Sequence, residues 1–121
     1  MLLVDAANVV GSRPTGWWRD RAGAARNLTS RMRRAVADET LPADVVLVLE
    51  GDARNGVDPG HADGVEVVHA PGHGDDTIVA IAAESDTPVL LVSADRELAD
   101  RVRELGAEVV GPTWLLDRLP S

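Results

Sequence analysis

The sequence predicts an α/β fold, a three-layer sandwich in which helices cover both faces of a central parallel sheet of about five strands. Apolar segments of strand length, such as "VVLVLEG" at residues 45–51, alternate along the chain with longer segments of helical periodicity. These short segments are apolar throughout, which is typical of strands buried on both faces of a parallel sheet. The chain has 121 residues, the size of one domain, so we expect residues 1–121 to fold as a single unit.

The N-terminal half is predicted to contain two strands and one long helix. The first strand is residues 2–5, at the start of "LLVDAANVV", and "GSRPTG" at residues 11–16 has the composition of a turn. A helix at residues 17–38 follows from apolar residues that recur at steps of three and four. These residues are Trp18, Ala22, Ala25, Leu28, Met32 and Ala35. Residues 52–64, after the second strand, have the composition of a polar loop.

The C-terminal half continues the alternation of strands and helices. Its predicted elements are, in order, a strand at residues 65–70, a helix at residues 75–84, a strand within residues 87–95 that ends near Ser93, a helix within residues 95–107, a strand at residues 107–111 and a short helix at residues 112–119. Gly106 is expected to end the helix before it, as glycine often does. Connections between the parallel strands are expected to be right-handed.

The composition excludes several classes of site and location. The chain has no cysteine, which excludes disulfides, thiolate metal ligands and a cysteine nucleophile. No apolar run approaches the roughly 20 residues of a membrane-spanning helix. No basic segment precedes the apolar start of the chain, so we expect no signal peptide, no membrane partner and a cytoplasmic location.

The charge of the chain is divided unevenly along its length. The net charge is −8, which by itself argues against a nucleic-acid partner. Residues 11–36, however, contain seven arginines and one acidic residue, whereas the rest of the chain contains five arginines and nineteen acidic residues. A basic segment on an acidic body can offer a track for the phosphate groups of a nucleic acid.

Acidic residues stand at the ends of four predicted strands. The first strand ends in Asp5, the second ends in Glu50, the third leads to Asp75 and Asp76, and the fourth is followed by Asp95. The carboxyl ends of parallel strands meet at one edge of a sheet, where ligands bind at the switch in strand order. We therefore expect these carboxylates to converge on one site.

Each of these residues also has a simpler interpretation. Asp75 or Asp95 could accept a backbone N–H as a helix N-cap, and Glu50 could be a loop charge. Asp5 is harder to explain in this way, because its neighbours are apolar and a buried lone carboxylate is costly. Clustered carboxylates raise each other's pKa and are stable as anions mainly when a cation shares the site. Carboxylate and water suit hard cations, which predicts Mg²⁺ or Mn²⁺ as the cofactor.

Four segments give the chain a resemblance to a known family. They are "LLVDAANVVG", with Asp5 and Asn8; "VLEG", with Glu50; "GDDTIVAIA", with Asp75 and Asp76; and "VLLVSADRELADRVRELGA", with Ser93 and Asp95. Together they resemble the motifs of the PIN-like ribonucleases, in particular the NYN branch that includes YacP-type proteins. The resemblance covers nearly the whole chain, although two alanines stand between Asp5 and Asn8, where the family usually has glycine and an aromatic residue.

The resemblance implies a fold, an activity and a set of site residues. The implied strand order is 3-2-1-4-5, and the implied activity is metal-dependent hydrolysis of phosphodiester bonds in RNA. The implied metal ligands are Asp5, Glu50, Asp76 and Asp95, with Asp75 as a further catalytic residue that could replace Asp76. Asn8 and Ser93 would hydrogen-bond the ligand carboxylates. Arg13 and Arg19, at the start of the basic segment, would contact the phosphates of a single-stranded or structured RNA.

Two other functions stay open. A nuclease-like fold could serve as an RNA-binding or protein-interaction module without turnover. A phosphatase is the second alternative, because acidic sites at sheet edges also serve phosphoryl transfer, although "DAAN" lacks the second aspartate of a "DxD" strand end. The sequence does not decide between RNA and DNA, between endonuclease and exonuclease, or between a monomer and a homo-oligomer.

Overall fold

The computed structural model of the protein describes residues 1–14 and 16–121. Within these residues, six strands form one sheet. The strands are β1 (Leu2–Asp5), β2 (Val45–Leu49), β3 (Gly60–Ala62), β4 (Val65–His69), β5 (Leu90–Val92) and β6 (Glu108–Val110). Their order across the sheet is β3-β4-β2-β1-β5-β6, and all neighbours are parallel except β3 and β4.

This topology confirms the predicted α/β fold and strand order. The predicted strands correspond to β1, β2, β4, β5 and β6, which run parallel in the order 3-2-1-4-5. The predicted polar loop at residues 52–64 is wrong in part, because it contains the edge strand β3 and most of a 3₁₀ helix, Gly51–Gly56. The three residues of β3 are all exposed and carry no apolar pattern, so nothing in the sequence marks them as a strand.

Helices cover both faces of the sheet. In the described part of the chain they are α1 (Ala6–Gly11), α2 (Arg21–Ala37), α3 (Gly74–Glu84), α4 (Arg96–Arg103) and α5 (Pro112–Leu116), and none of them has both the length and the apolar character needed to cross a membrane. α1 is missing from the prediction because six residues are too few to show a helical period. The predicted turn at residues 11–16 includes Thr15, which lies outside the described residues. Gly11, the first residue of that turn, is the last residue of α1.

The helix predicted at residues 17–38 begins later than expected. Trp17–Arg19 form a short 3₁₀ helix, and α2 begins only after Asp20. The side chain of Asp20 accepts the backbone N–H of Gly23 at 2.8 Å, a bond that fixes the start of α2. Trp18 is 54% exposed, so its assignment to the buried face of this helix is wrong.

The pleat of the strands determines which side chains reach the α3–α4 face of the sheet. Alternate strand residues face two apolar cores, one formed with α1, α2 and α5 and the other with α3 and α4. Leu3 of β1 and Val48 of β2 face the second core. Asp5 and Glu50, each two residues further along, therefore lie on the side of α3 and α4. Ser93 follows β5 and is buried there.

A glycine allows the 3₁₀ helix Gly51–Gly56 to pack closely on α2. A Cβ atom at Gly56 would overlap the backbone carbonyl of Ala22. Because a backbone group cannot rotate away as the end of a side chain can, this position has no room for a larger residue. The contact holds the segment that follows β2 against α2.

We predict that Gly56→Ala lowers the free energy of unfolding by about 1–3 kcal/mol, the usual cost of overpacking. Gly72→Ala is the matched control, since a Cβ atom at Gly72 would meet nothing within 4 Å. Urea denaturation of both variants measures the difference. If the two variants are equally stable, the close contact between Gly56 and α2 is contradicted.

Candidate functional site

A buried carboxylate lies at the carboxyl edge of the sheet. Asp5, the last residue of β1, is only 4% exposed. Its Oδ2 accepts two hydrogen bonds, one from Oγ of Ser93 at 2.9 Å and one from Nδ2 of Asn8 at 2.8 Å. Both donors reach the same oxygen, so Oδ1 takes no part in this pair of bonds.

Further hydrogen bonds tie Asp5 to the segment between β5 and α4. Oδ1 of Asn8 accepts the backbone N–H of Ala94 at 3.2 Å, and Oγ of Ser93 accepts the backbone N–H of Asp95 at 3.1 Å. These segments meet because β1 and β5 are neighbours in the sheet. The first turn of α1 and the loop after β5 thus hold the Asp5 carboxylate between them.

The surroundings of Asp5 favour its protonated form. Burial raises the pKa of Asp5 above its ordinary value, and the negative charge of Glu50 raises it further. The hydrogen bonds from Ser93 and Asn8 lower the pKa but do not offset the effect of burial. An ionised Asp5 therefore costs free energy in the folded protein when no cation is close to it.

Glu50 and Asp75 bring two more carboxylates to this edge. Oε2 of Glu50 accepts the backbone N–H of Gly74, the first residue of α3, at 3.1 Å. Asp75 is partly buried, and its pKa is raised first by burial and then by the charges of Asp95 and Glu50. These carboxylates therefore share one electrostatic environment. We refer to Asp5, Glu50, Asp75 and Asp95 as the acidic edge.

The two adjacent aspartates of α3 have different surroundings. The side chain of Asp76 is 87% exposed, and its Oδ1 lies 3.0 Å from Nη2 of Arg101 on α4. Successive helical residues differ in direction by about 100°, and although the charge of Arg101 also lowers the pKa of Asp75, burial and the charges of Asp95 and Glu50 outweigh it. The role of Asp76 as a metal ligand stays a prediction, and its exposure and its ion pair favour Asp75 as the member of the pair that serves the acidic edge.

Of the two aspartates that could be helix N-caps, Asp95 is a cap and Asp75 is not. Asp95 is the N-cap of α4, and its Oδ1 accepts the backbone N–H of Leu98 at 3.1 Å. The N-cap residue of α3 is His73, so Asp75 is not a cap. The cap bond uses one oxygen of Asp95, so the same residue can still belong to the acidic edge.

The described residues contain no ready-made cage for a metal ion, because no three histidine, aspartate or glutamate side chains among them lie close enough to hold one. The acidic edge nevertheless offers the carboxylate oxygens that suit Mg²⁺ and Mn²⁺. Mg²⁺ usually keeps several waters and binds only one or two carboxylates directly. The donor set therefore fits a hydrated divalent ion, not an ion that the protein coordinates completely.

A cavity of about 580 Å³ adjoins the acidic edge on the side of β2. Small apolar side chains of α1 and α2 form part of its wall, and five larger side chains complete it: Trp17, Arg21, Glu50, Arg54 and His73. We call it the Trp17 cavity. A second, smaller cavity lies on the side of β5 and includes Ser93 and Asp95. The acidic edge thus shares residues with a concave surface on each side of β1.

The arginines predicted to bind substrate do not line the Trp17 cavity. Arg13 and Arg19 are both exposed, and the guanidinium of Arg19 lies 5.9 Å from the ring centroid of Trp18. Their role stays a prediction. Sequence reasoning missed Arg54 and did not favour Arg21, because the residues of this wall lie on separate elements that share no motif. The excess of arginine in residues 11–36 was the one signal that included Arg21.

We predict that Asp5→Asn leaves the metal-free protein equally stable or more stable at pH 7. The pKa of Asp5 is raised by folding above the value of 3.8 for a free side chain. The stability that the protonated carboxyl contributes is therefore complete below about pH 4 and is lost as the pH rises through the folded pKa. An amide oxygen can keep both bonds to Ser93 and Asn8, since they reach a single oxygen.

Denaturation at pH 7 and near pH 3, with a chelator present, measures this effect. The advantage of Asp5→Asn over the wild type should shrink towards the lower pH. Asp58→Asn, at an exposed position, is the control and should change stability by less than about 0.5 kcal/mol. A large loss of stability in Asp5→Asn at pH 7 would contradict the assigned direction of the pKa.

Comparison with known proteins shows a likeness in fold. No protein-family model and no curated protein matches the chain. Among solved structures, the chain is similar to the crystal structure of a mutant of Rae1 (YacP) from Bacillus subtilis, with a TM-score of 0.65 and 20% sequence identity. The match covers 96% of this chain and 71% of that chain. The protein therefore has a YacP-like fold.

Proposed function

We propose that the protein is a metal-dependent ribonuclease that hydrolyses phosphodiester bonds of RNA at the acidic edge. The observation that carries this proposal is the buried Asp5 carboxylate, which is 4% exposed and stands among other acids. Burying a carboxylate without a cation costs free energy, so stability alone does not account for this group. Its presence at the carboxyl edge of a parallel sheet supports a role in binding a cation and a substrate.

The likeness in fold supports the same function from another direction. The sequence motifs resemble those of the PIN-like ribonucleases, including YacP-type proteins, and the fold is similar to that of a YacP structure. One observation comes from short motifs and the other from the course of the whole backbone. At 20% identity the structural likeness concerns the fold, so the activity is carried by the acidic edge itself.

Asp5, Asp75 and Asp95 would hold a divalent ion, either directly or through its bound waters, and Glu50 would complete the site. When bound, Mg²⁺ or Mn²⁺ would supply an activated water and neutralise charge on the leaving oxygen. Ser93 and Asn8 fix the orientation of the Asp5 carboxylate and keep Oδ2 occupied.

A module that binds RNA without cleaving it is the second candidate. The observation in its favour is that no three ligand-type side chains among residues 1–14 and 16–121 lie close enough to hold a metal ion. Metal binding separates the two candidates. A nuclease of the proposed kind binds Mn²⁺ in a calorimetric titration and needs it for cleavage, whereas a module binds no Mn²⁺ at millimolar concentration and cleaves no RNA with the metal present.

We predict that Asp5→Asn abolishes cleavage of single-stranded RNA while the fold stays intact. The substitution removes one charge from the proposed ligand set and leaves the size of the side chain unchanged. Cleavage of a labelled oligonucleotide in Mn²⁺, with circular dichroism as the check on folding, measures the effect. Wild-type turnover by the purified variant would refute the catalytic assignment of Asp5.

We also predict that Asp75→Asn and Asp76→Asn differ, although the residues are adjacent. Asp75→Asn should weaken Mn²⁺ binding by about tenfold or more, because Asp75 shares its environment with Asp95 and Glu50. Asp76→Asn should change it much less, since this exposed carboxylate already pairs with Arg101. Calorimetric titration of both variants provides a matched comparison. The reverse order of effects would make Asp76 the ligand, as the resemblance in sequence implies.

A further inference from the structure

Apart from Glu50, the residues that line the Trp17 cavity have no part in the proposed metal chemistry. Its volume of about 580 Å³ lies within the range of sites for small organic ligands, about 300–1,000 Å³. Apolar contacts come from small side chains such as Ala6, Val10 and Ala25. Trp17, Glu50, His73 and two arginines complete the wall, and the arginines are its fixed positive charges. A site of this kind suits a ligand that combines a flat apolar ring with a negative charge.

The guanidinium of Arg21 lies over the ring of Trp17 in this wall. The guanidinium carbon of Arg21 lies 5.3 Å from the centroid of the Trp17 ring. The indole lies close to Gly11, where an added Cβ atom would come to 3.4 Å from it. Nucleobases stack both on aromatic rings and on guanidinium planes, so this pair offers two surfaces that a base can use.

Arg54 is held in place on the other side of the cavity. Its Nε donates to the carbonyl of Gly51 at 3.0 Å, and its Nη1 donates to the carbonyl of Ala70 at 3.3 Å. These bonds fix the plane of the guanidinium, and Nη2 takes part in neither of them. A fixed guanidinium loses little entropy when it binds phosphate, so Arg54 is suited to contact the phosphate of a nucleotide.

The cavity and the acidic edge share Glu50. This residue lines the Trp17 cavity and accepts the N–H of Gly74 at the start of α3. The Nδ1 atom of His73, whose side chain is 97% exposed, lies 3.8 Å from Oε2 of Glu50. If a nucleic-acid strand placed one nucleotide in the cavity, the next nucleotide of that strand would therefore lie beside the acidic edge.

We propose that the Trp17 cavity binds one nucleotide of an RNA strand, with the base against Trp17 and Arg21 and a phosphate at Arg54. We rest the choice of RNA on the proposed nuclease function. The cavity itself recognises a base joined to a phosphate, which either an RNA strand or a free mononucleotide could supply. Its role would be to position the strand so that an adjacent phosphodiester group reaches the acidic edge.

Binding without divalent metal tests this assignment apart from catalysis. The full chain, in a chelator, is titrated with AMP, with ribose 5-phosphate, which lacks the base, and with a hexanucleotide of RNA. The indole N–H signals in a ¹H–¹⁵N spectrum report on each tryptophan, and Trp17→Leu assigns the signal of Trp17. We expect AMP to shift the Trp17 signal and to bind at least tenfold more tightly than ribose 5-phosphate.

Matched variants keep the test specific. Trp17→Leu should weaken AMP binding by about tenfold, whereas Trp18→Leu, at the exposed neighbour whose ring meets that of Trp17 edge-on but lies outside the cavity, should weaken it much less. Arg21→Gln should weaken binding, whereas Arg26→Gln, at an exposed position of the same helix, should not. The comparison of Arg21→Gln with Arg26→Gln can still refute the proposal if Trp17→Leu fails to fold.

The outcomes separate the two possible sources of the nucleotide. Tighter binding of the hexanucleotide than of AMP, lost in Trp17→Leu, supports the RNA strand. Binding of AMP without binding of the hexanucleotide overturns the RNA strand in favour of a free mononucleotide. Equal binding of AMP and ribose 5-phosphate, or equal losses in Trp17→Leu and Trp18→Leu, overturns the cavity as a base site. A protein that binds as expected but cleaves nothing would refute only the proposed nuclease.

Discussion

Burial of the Asp5 carboxylate is the constraint on which the rest of the site depends. A carboxylate in an apolar setting must find hydrogen-bond donors or a cation, because water is not available to it. Two side chains, Ser93 and Asn8, supply the donors. Asn8 comes from α1 and Ser93 from the end of β5, so the same bonds that satisfy Asp5 also join the first helix to the opposite half of the sheet. Without a cation, burial favours the protonated form of Asp5, whereas the proposed metal chemistry needs its ionised form.

The distribution of charge divides the surface into two adjoining environments. At the acidic edge, the charges of Asp95 and Glu50 raise the pKa of Asp75, and the charge of Glu50 also raises the pKa of Asp5. The Trp17 cavity beside it carries Arg21 and Arg54. A net charge of −8 would repel a nucleic acid as a whole, but screening limits that repulsion to about 8–10 Å at physiological ionic strength. Local cations at the cavity can therefore outweigh the net charge for a strand that lies against them.

Much of this arrangement could be predicted because side chains change direction at fixed intervals along strands and helices. Strand alternation and the meeting of parallel strand ends indicate where Asp5 and Glu50 lie, and both rules act on short stretches of sequence. The strand β3 and the helix α1 are too short to show a period, so they were missed. Asp75 and Asp76 show the limit of such prediction. If the start of a helix is uncertain by one residue, the direction expected for each side chain changes by about 100°. The walls of the Trp17 cavity come from segments far apart in sequence, and only the fold brings them together.

The segment after β2 links the acidic edge to the cavity. Glu50 at its start is anchored by the N–H of Gly74, and Gly56 at its end packs on the backbone of Ala22. Between these two fixed points lie Arg54 and other residues of the cavity wall. Because both ends are held by backbone groups, the distance between Glu50 and Arg54 is set by the fold and not by flexible side chains. A strand bound at Arg54 would therefore meet the acidic edge at a fixed spacing, the condition that a hydrolytic site needs if binding energy is to position the phosphate.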